Sequence, residues 1–132
     1  MTSQAAGTTE QNKQLVRRLI NEVMNGGHLD TIEEIYHPRL AVAARRWIEP
    51  FLNSFGDIHM RIDQLIAEND TVVGRFTCSG THVGPWLGRP PTGRRFTNIA
   101  EVYIFGITDG RVTRAWGLED THTRLRQLGL GN

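Results

Sequence analysis

The sequence predicts an α+β domain in which helices come first and then wrap a curved antiparallel sheet. Three observations predict it. Apolar residues recur at helical spacing over the first third of the chain. After Phe55 the period changes to alternation. Asp109-Gly110, set between two strand-like runs, is a tight hairpin turn. Helices in one block and strands in the next argue against a doubly wound parallel sheet.

The elements follow in order. Residues 1–9 read as a polar, disordered arm, and residues 10–130 as one domain. Leu15, Val16, Leu19, Ile20, Val23 and Met24 form one apolar stripe of the first helix. Thr8 with Gln11 supplies a capping box, and Gly26-Gly27 stops the helix. Asp30 with Glu33 starts a second helix with Ile32, Ile35 and Tyr36 inward, and His37-Pro38 ends it. A third helical pattern holds Trp47, Ile48, Phe51, Leu52 and Phe55, with a kink or break expected at Pro50. Ile58, Met60 and Ile62 then alternate with His59, Arg61 and Asp63 as a first strand. A turn at Glu68-Asn69-Asp70 leads to a second strand near 71–82, and a Gly/Pro-rich loop spans 84–93. The third strand covers about 94–107, and the fourth ends near Leu118. A short helix with Leu125 and Leu128 closes at Gly129. A curved sheet wrapped by helices leaves a cone with an open mouth, where pockets form.

Composition excludes several classes of function. The chain has 132 residues, net charge +1, and one lysine among fifteen basic residues. Its arginines are scattered and interleaved with acids, so no nucleic-acid surface is expected. No apolar run approaches a membrane span, and the N-terminus lacks the pattern of a secretory signal. Cys78 has no second cysteine to pair with, so a reducing cytoplasm is expected. The five histidines lack the paired spacing of zinc enzymes, so no metal is expected. GPWLGRPPTG lacks the Lys-Ser/Thr ending of a phosphate loop, and no Gly-x-Ser-x-Gly elbow occurs.

The order HVG at 82–84, GRPPTG at 88–93, RRF at 94–96, the Asp109-Gly110 turn, Trp116-x3-Asp120 and RQLG at 126–129 resembles the SnoaL-like polyketide cyclases of the NTF2-like superfamily. The resemblance covers about residues 10–130. It implies a cone-shaped NTF2-like fold and cofactor-free ring closure by intramolecular aldol chemistry on a hydrophobic substrate. Related members serve as hydroxylase components or as small-molecule binders. The resemblance also implies a homodimer through an exposed sheet face. Relatives carry a longer segment between the second and third helices. Here HPRLAVAARRW is short, which leaves the cavity more open or covered by a partner subunit.

Aligned back from RQLG, the family's catalytic aspartate falls on Gly117 and a second acidic position on Asp120. The family's histidine falls on Tyr103 and its glutamine on Glu101. The limonene-type epoxide hydrolases share the fold and the PTG motif. Arg75 matches their arginine, while Thr77 and Gly117 stand at their aspartates.

The residues themselves then suggest a site. Alternation in IAEVYIFGI puts Glu101, Tyr103 and Phe105 on one face. If that face lines the cone, Glu101 is an acid in an apolar pocket, where burial raises its pKa and suits it to proton transfer. The alternative is an ion pair with an arginine at the mouth. Arg75, Thr77 and Ser79 share another strand face as a candidate polar wall, with Arg75 stabilising negative charge. His82 is either a proton shuttle or the anchor of its loop. Trp86 is the best-placed aromatic to stack on a flat ligand, and Trp116 is a core or rim residue. Asp120 reads as the cap of the last helix or as a ligand contact, and Glu119 as a solvated acid.

Overall fold

A computed structural model of the chain describes residues 7–131. Most of the expected polar arm lies outside the described residues. Its end is already structured: Thr8 Oγ1 accepts from Gln11 N at 3.0 Å while Gln11 Oε1 accepts from Thr8 N at 2.9 Å, and helix α1 (Thr9–Arg18) begins there. The helix continues as a π-helical turn, Leu19–Met24, that buries Leu19, Ile20, Val23 and Met24. A 3-10 turn (Leu29–Thr31) and α2 (Ile32–Ile35) follow, with Ile32, Ile35 and Tyr36 buried.

Helix α3 (Pro38–Ser54) corrects the sequence reading. HPRLAVAARRW is the first half of this helix and no loop. His37 caps it, its Nδ1 accepting from Arg39 N at 3.1 Å, and Pro38 occupies the first turn, where no N–H is needed. Pro50 does not break the helix. It sits on the exposed side, as does Arg46 one turn earlier, so the carbonyl it leaves without a donor faces water. Phe55 begins the first strand instead of ending the helix.

Strands β1 (Phe55–Glu68), β2 (Thr71–His82), β3 (Arg95–Thr108) and β4 (Arg111–Glu119) pair antiparallel in sequence order. Asp109 and Gly110 both have positive φ, as a two-residue hairpin turn requires. Register shifts at Gly56/His59, Ile62/Gln64, Cys78/Gly80 and Gly106/Ile107 mark bulges, which bend a sheet and increase its twist. The concave face carries Phe76, Cys78, Ile99 and Phe105 against Val16, Ile20 and Ile48 of the helices. His37 N donates to Val112 O at 2.9 Å, tying the start of α3 to β4. Helix α4 (Thr121–Gln127) packs back on β3. No helix among the described residues is long and apolar enough to cross a membrane.

Candidate active site

A cavity of about 420 Å³ opens between α3, the β2–β3 loop and the concave faces of β3 and β4. Its volume falls in the roughly 300–1,000 Å³ range of small-molecule sites. The wall is mostly apolar, with Met24, Phe51, Met60, Pro85 and Trp86 among its residues. A small extension of about 20 Å³ continues inward beside Leu19, Ile20 and Phe105.

Three polar side chains meet on this wall, with a fourth buried behind them. The β3–β4 register sets Glu101 opposite Glu119, and Tyr103 opposite Gly117. Tyr103 Oη lies 3.0 Å from Glu101 Oε1 and 3.1 Å from Glu119 Oε2. Arg124 comes from α4. Its Nη2 donates to Glu101 Oε2 at 2.8 Å, and its Nη1 donates to Glu119 Oε1. The guanidinium is fully buried, with its carbon 4.7 Å from the ring centroid of Phe96 and 5.3 Å from that of Phe51. Aromatic faces favour a cation at such distances.

The electrostatics follow from this packing. Burial raises the Glu101 carboxyl from the ordinary 4.5 to about 7, and the neighbouring Glu119 charge pushes the same way. Arg124 and the Tyr103 hydroxyl pull it back only in part. Burial, followed by the charges of Glu101 and Glu119, also raises the Tyr103 phenol, so it stays protonated. For Arg124, burial opposes the charge, but Glu119 and Glu101 outweigh it and the guanidinium stays cationic. Cys78, on the neighbouring strand, is pushed up to about 12, mainly by burial, and is an inert thiol. Among the described residues no group of His, Cys, Asp and Glu is arranged to hold a metal ion.

Glu101, Tyr103 and Phe105 do share the concave face, as alternation requires. Trp86 is on the cavity wall, its ring edge-on to Phe55 at 5.2 Å. The expected polar wall of Arg75 and Thr77 does not form there. Both alternate outward on β2, away from Glu101, because Phe76 between them faces the core. Their partner is Asp63, the residue displaced by a β1 bulge. Thr77 Oγ1 donates to Asp63 Oδ2, and Arg75 Nη1 lies 3.7 Å from the same oxygen. The Thr77 hydroxyl first, then Arg61, holds the Asp63 carboxyl below its usual range. Trp116 likewise faces outward and is largely exposed, because its β3 partner is the outward-facing Ile104.

His82 is buried beside Phe55 and anchors the loop instead of reaching the cavity. Its Nδ1 accepts from Thr92 N at 3.1 Å, and its backbone pairs with Gly93 and Arg94. Asp120 caps α4. Its Oδ1 accepts from Thr123 N at 3.0 Å and its Oδ2 from Thr123 Oγ1 at 2.7 Å, and these bonds lower its pKa.

Two residues escaped the sequence reading. Glu119 is no solvated acid but half of the carboxyl pair. The available signal was its position two residues beyond Gly117, hence on the same strand face. Arg124, among scattered arginines, was not singled out. The signal was its i,i+4 relation to Leu128, which puts both on the buried stripe of α4.

At Gly117 an added Cβ would lie 2.1 Å from Tyr103 Cδ1 and Cε1. The tyrosine ring therefore fills the space a side chain at 117 would take, and an aspartate there does not fit without movement.

Comparison with known proteins agrees with this architecture. The sequence profile of the SnoaL-like polyketide cyclases matches residues 14–128. Aklanonic acid methyl ester cyclase DauD of Streptomyces sp. strain C5 is 26% identical over 124 residues, which span 94% of this chain and 75% of that protein. The structure of TsrD from Streptomyces laurentii superposes with a TM-score of 0.87 at 29% identity, over 94% of this chain and 98% of that one. AclR, a putative hydroxylase from Streptomyces galilaeus, superposes at 0.83 with 24% identity over 92% and 98%, a likeness of fold. The chain belongs to the SnoaL-like polyketide cyclase family.

Proposed function

We propose that this protein is a cofactor-free enzyme that closes or isomerises a ring in a hydrophobic, oxygenated substrate by acid–base catalysis. One observation carries the reading. Two carboxyls and a phenol converge on the wall of a mostly apolar cavity, with a buried guanidinium bonded to both carboxyls behind them. A carboxyl pair bridged by a phenol and backed by a guanidinium can take a proton from a substrate and return it. In an aldol closure a carboxylate removes a proton from the carbon beside a carbonyl. The resulting enolate carbon bonds to a second carbonyl carbon, and the new alkoxide recovers the proton. Atoms and charge balance without an oxidant or cofactor. Trp86 offers an aromatic face for a flat substrate.

A binding role without catalysis is favoured by one feature, the glycine at the family's aspartate position. Epoxide hydrolysis has lost support, since Arg75 points away from the cavity. A cytoplasmic setting remains part of the reading, in keeping with a buried free thiol.

The first substrate to test is aklanonic acid methyl ester, named for a relative. Turnover is expected in the wild type, and the paired substitution Glu101→Gln with Glu119→Gln should lower it by roughly a hundredfold or more. A folded double variant with wild-type turnover would remove acid–base catalysis by this cluster. Ligand affinity without turnover in the wild type would favour the binding role.

A homodimer through the convex sheet face belongs to the same proposal. Ile66, Val73, Ile104 and Trp116 pair in register across all four strands, and Ile66, Ile104 and Trp116 are exposed. Such a stripe supports the reading of an interface. Trp116→Arg should convert a dimer to a monomer in size-exclusion chromatography. A monomeric wild type at tens of micromolar would end this assignment.

A further inference from the structure

Within the proposed acid–base reading, on which this inference rests, we infer that Glu119 is the group that exchanges a proton with the substrate, and that Glu101 is a positioning residue that aims Tyr103 at it. Access is the first argument. The Glu101 side chain is 1% exposed and that of Glu119 is 32% exposed. Both border the cavity, but the Glu119 carboxylate is partly open while Glu101 is sealed behind Tyr103 and Arg124.

Hydrogen counting is the second argument. The Tyr103 hydroxyl has one hydrogen, yet carboxyl oxygens stand at 3.0 and 3.1 Å on either side. Arg124 donates to the remaining oxygen of each acid. The count closes if Glu101 keeps a proton and donates it to Tyr103 Oη. Tyr103 then gives its own hydrogen to Glu119, which stays ionised at the cavity surface. The reverse arrangement would leave a buried charge on Glu101 and a neutral acid in the wetter position, the costlier choice. The groups that face Glu101 are Glu119 of β4, Arg124 of α4, and Tyr103 and Cys78 of the neighbouring sheet positions. The first of these charges and burial both favour protonation.

In the ring-closing step the substrate C–H bond breaks, its electron pair stays on the substrate as an enolate, and the proton forms an O–H bond on Glu119. The alkoxide produced by the new C–C bond takes that proton back. Glu101 keeps its proton throughout.

Carbon-13 NMR titration of the glutamate carboxyls in the resting protein tests the placement without any substrate. Glu101 should stay protonated at pH 6. Glu119→Gln should lower the Glu101 midpoint by removing a like charge. An ionised Glu101 at pH 6 would overturn the inference. Turnover of aklanonic acid methyl ester gives a second test. Glu119→Gln should lose roughly a hundredfold or more, the usual share of a positioned base. Glu101→Leu should also lose turnover, and Glu101→Gln should restore much of it, since an amide can donate to Tyr103 and accept from Arg124. It should also remove the limb near pH 7 from the rate profile. A Glu119→Gln enzyme more active than Glu101→Gln would reverse the roles and leave the acid–base reading standing. Wild-type turnover in both single variants and in their combination would instead bring down that reading itself.

Discussion

Gly117 and Tyr103 face each other across β3 and β4, and each occupies what the other gives up. A side chain at 117 would overlap the tyrosine ring, so Gly117→Asp should destabilise the fold by about 1–3 kcal/mol, the usual cost of overpacking. Adding Tyr103→His should recover much of that loss, because the two sites compete for one volume. A double-mutant cycle in urea reads the coupling, and strict additivity would mean the ring does not set the limit at 117. Asp120 is a simpler case. Asp120→Ala should cost about 1 kcal/mol and Asp120→Asn little, since both Asp and Asn accept from the helix N–H groups. Equal losses in the two variants would contradict a capping role. That Glu101, Tyr103 and Phe105 share one face was legible in the sequence because strand alternation has a period of two, but with Val102 and Ile104 apolar on the other face the inward direction was not. Arg75 and Thr77 misled because alternation says which residues share a face without saying which face turns inward. On β2 that answer came from Phe76 and Cys78, which claim the core.

At the scale of elements, the strands were legible almost to the residue, since turn residues bound them and β-pairing fixes their register. Helix α3 was not. Pro50 read as an interruption, and Pro38 as an ending instead of a first turn. In the folded chain the missing donor of Pro50 falls on the wet side, while Ala41, Ala44 and Ile48 keep the buried stripe continuous. The loop from Val83 to Arg94 depends on both neighbours. Val83 N and Gly84 N donate to Ser54 O at 2.9 and 3.0 Å, joining the loop to the end of α3. At its other end His82 Nδ1 takes the N–H of Thr92. His82→Leu keeps the packing against Phe55 but leaves that N–H without its acceptor. We expect a loss of about 1–3 kcal/mol, the cost of an unsatisfied buried group, with faster proteolysis between Pro85 and Gly93. Unchanged cleavage and unchanged stability would show that the loop stands without this anchor.

For the whole molecule, the acid cluster sets how stability varies with pH. Two environments compete at Glu101. An ion pair with Arg124 favours the carboxylate, whereas burial and the Glu119 charge favour the neutral acid and prevail, at about 7. The unfolded chain has an ordinary glutamate near 4.5. Between these values the folded state holds a proton that the unfolded state has released. More protons bound in the folded state means that stability falls as pH rises through this window, and it levels off above about 7. A shift of this size corresponds to roughly 3 kcal/mol. The half-buried Asp63 and the exposed Asp120, both lowered by their hydrogen bonds, act in the opposite sense. Their stabilisation is present above an ordinary aspartate pKa and is lost on further acidification, and solvent screening keeps the Asp120 share small. The melting temperature should therefore be highest near pH 4.5–5 and decline towards pH 7, the range set by the Glu101 shift. Glu101→Gln cannot titrate, so thermal melts of that variant across pH 4.5–8 should lose most of the decline. A wild-type melting temperature that climbs through the same window would mean that Arg124 wins the competition and that Glu101 is a buried carboxylate.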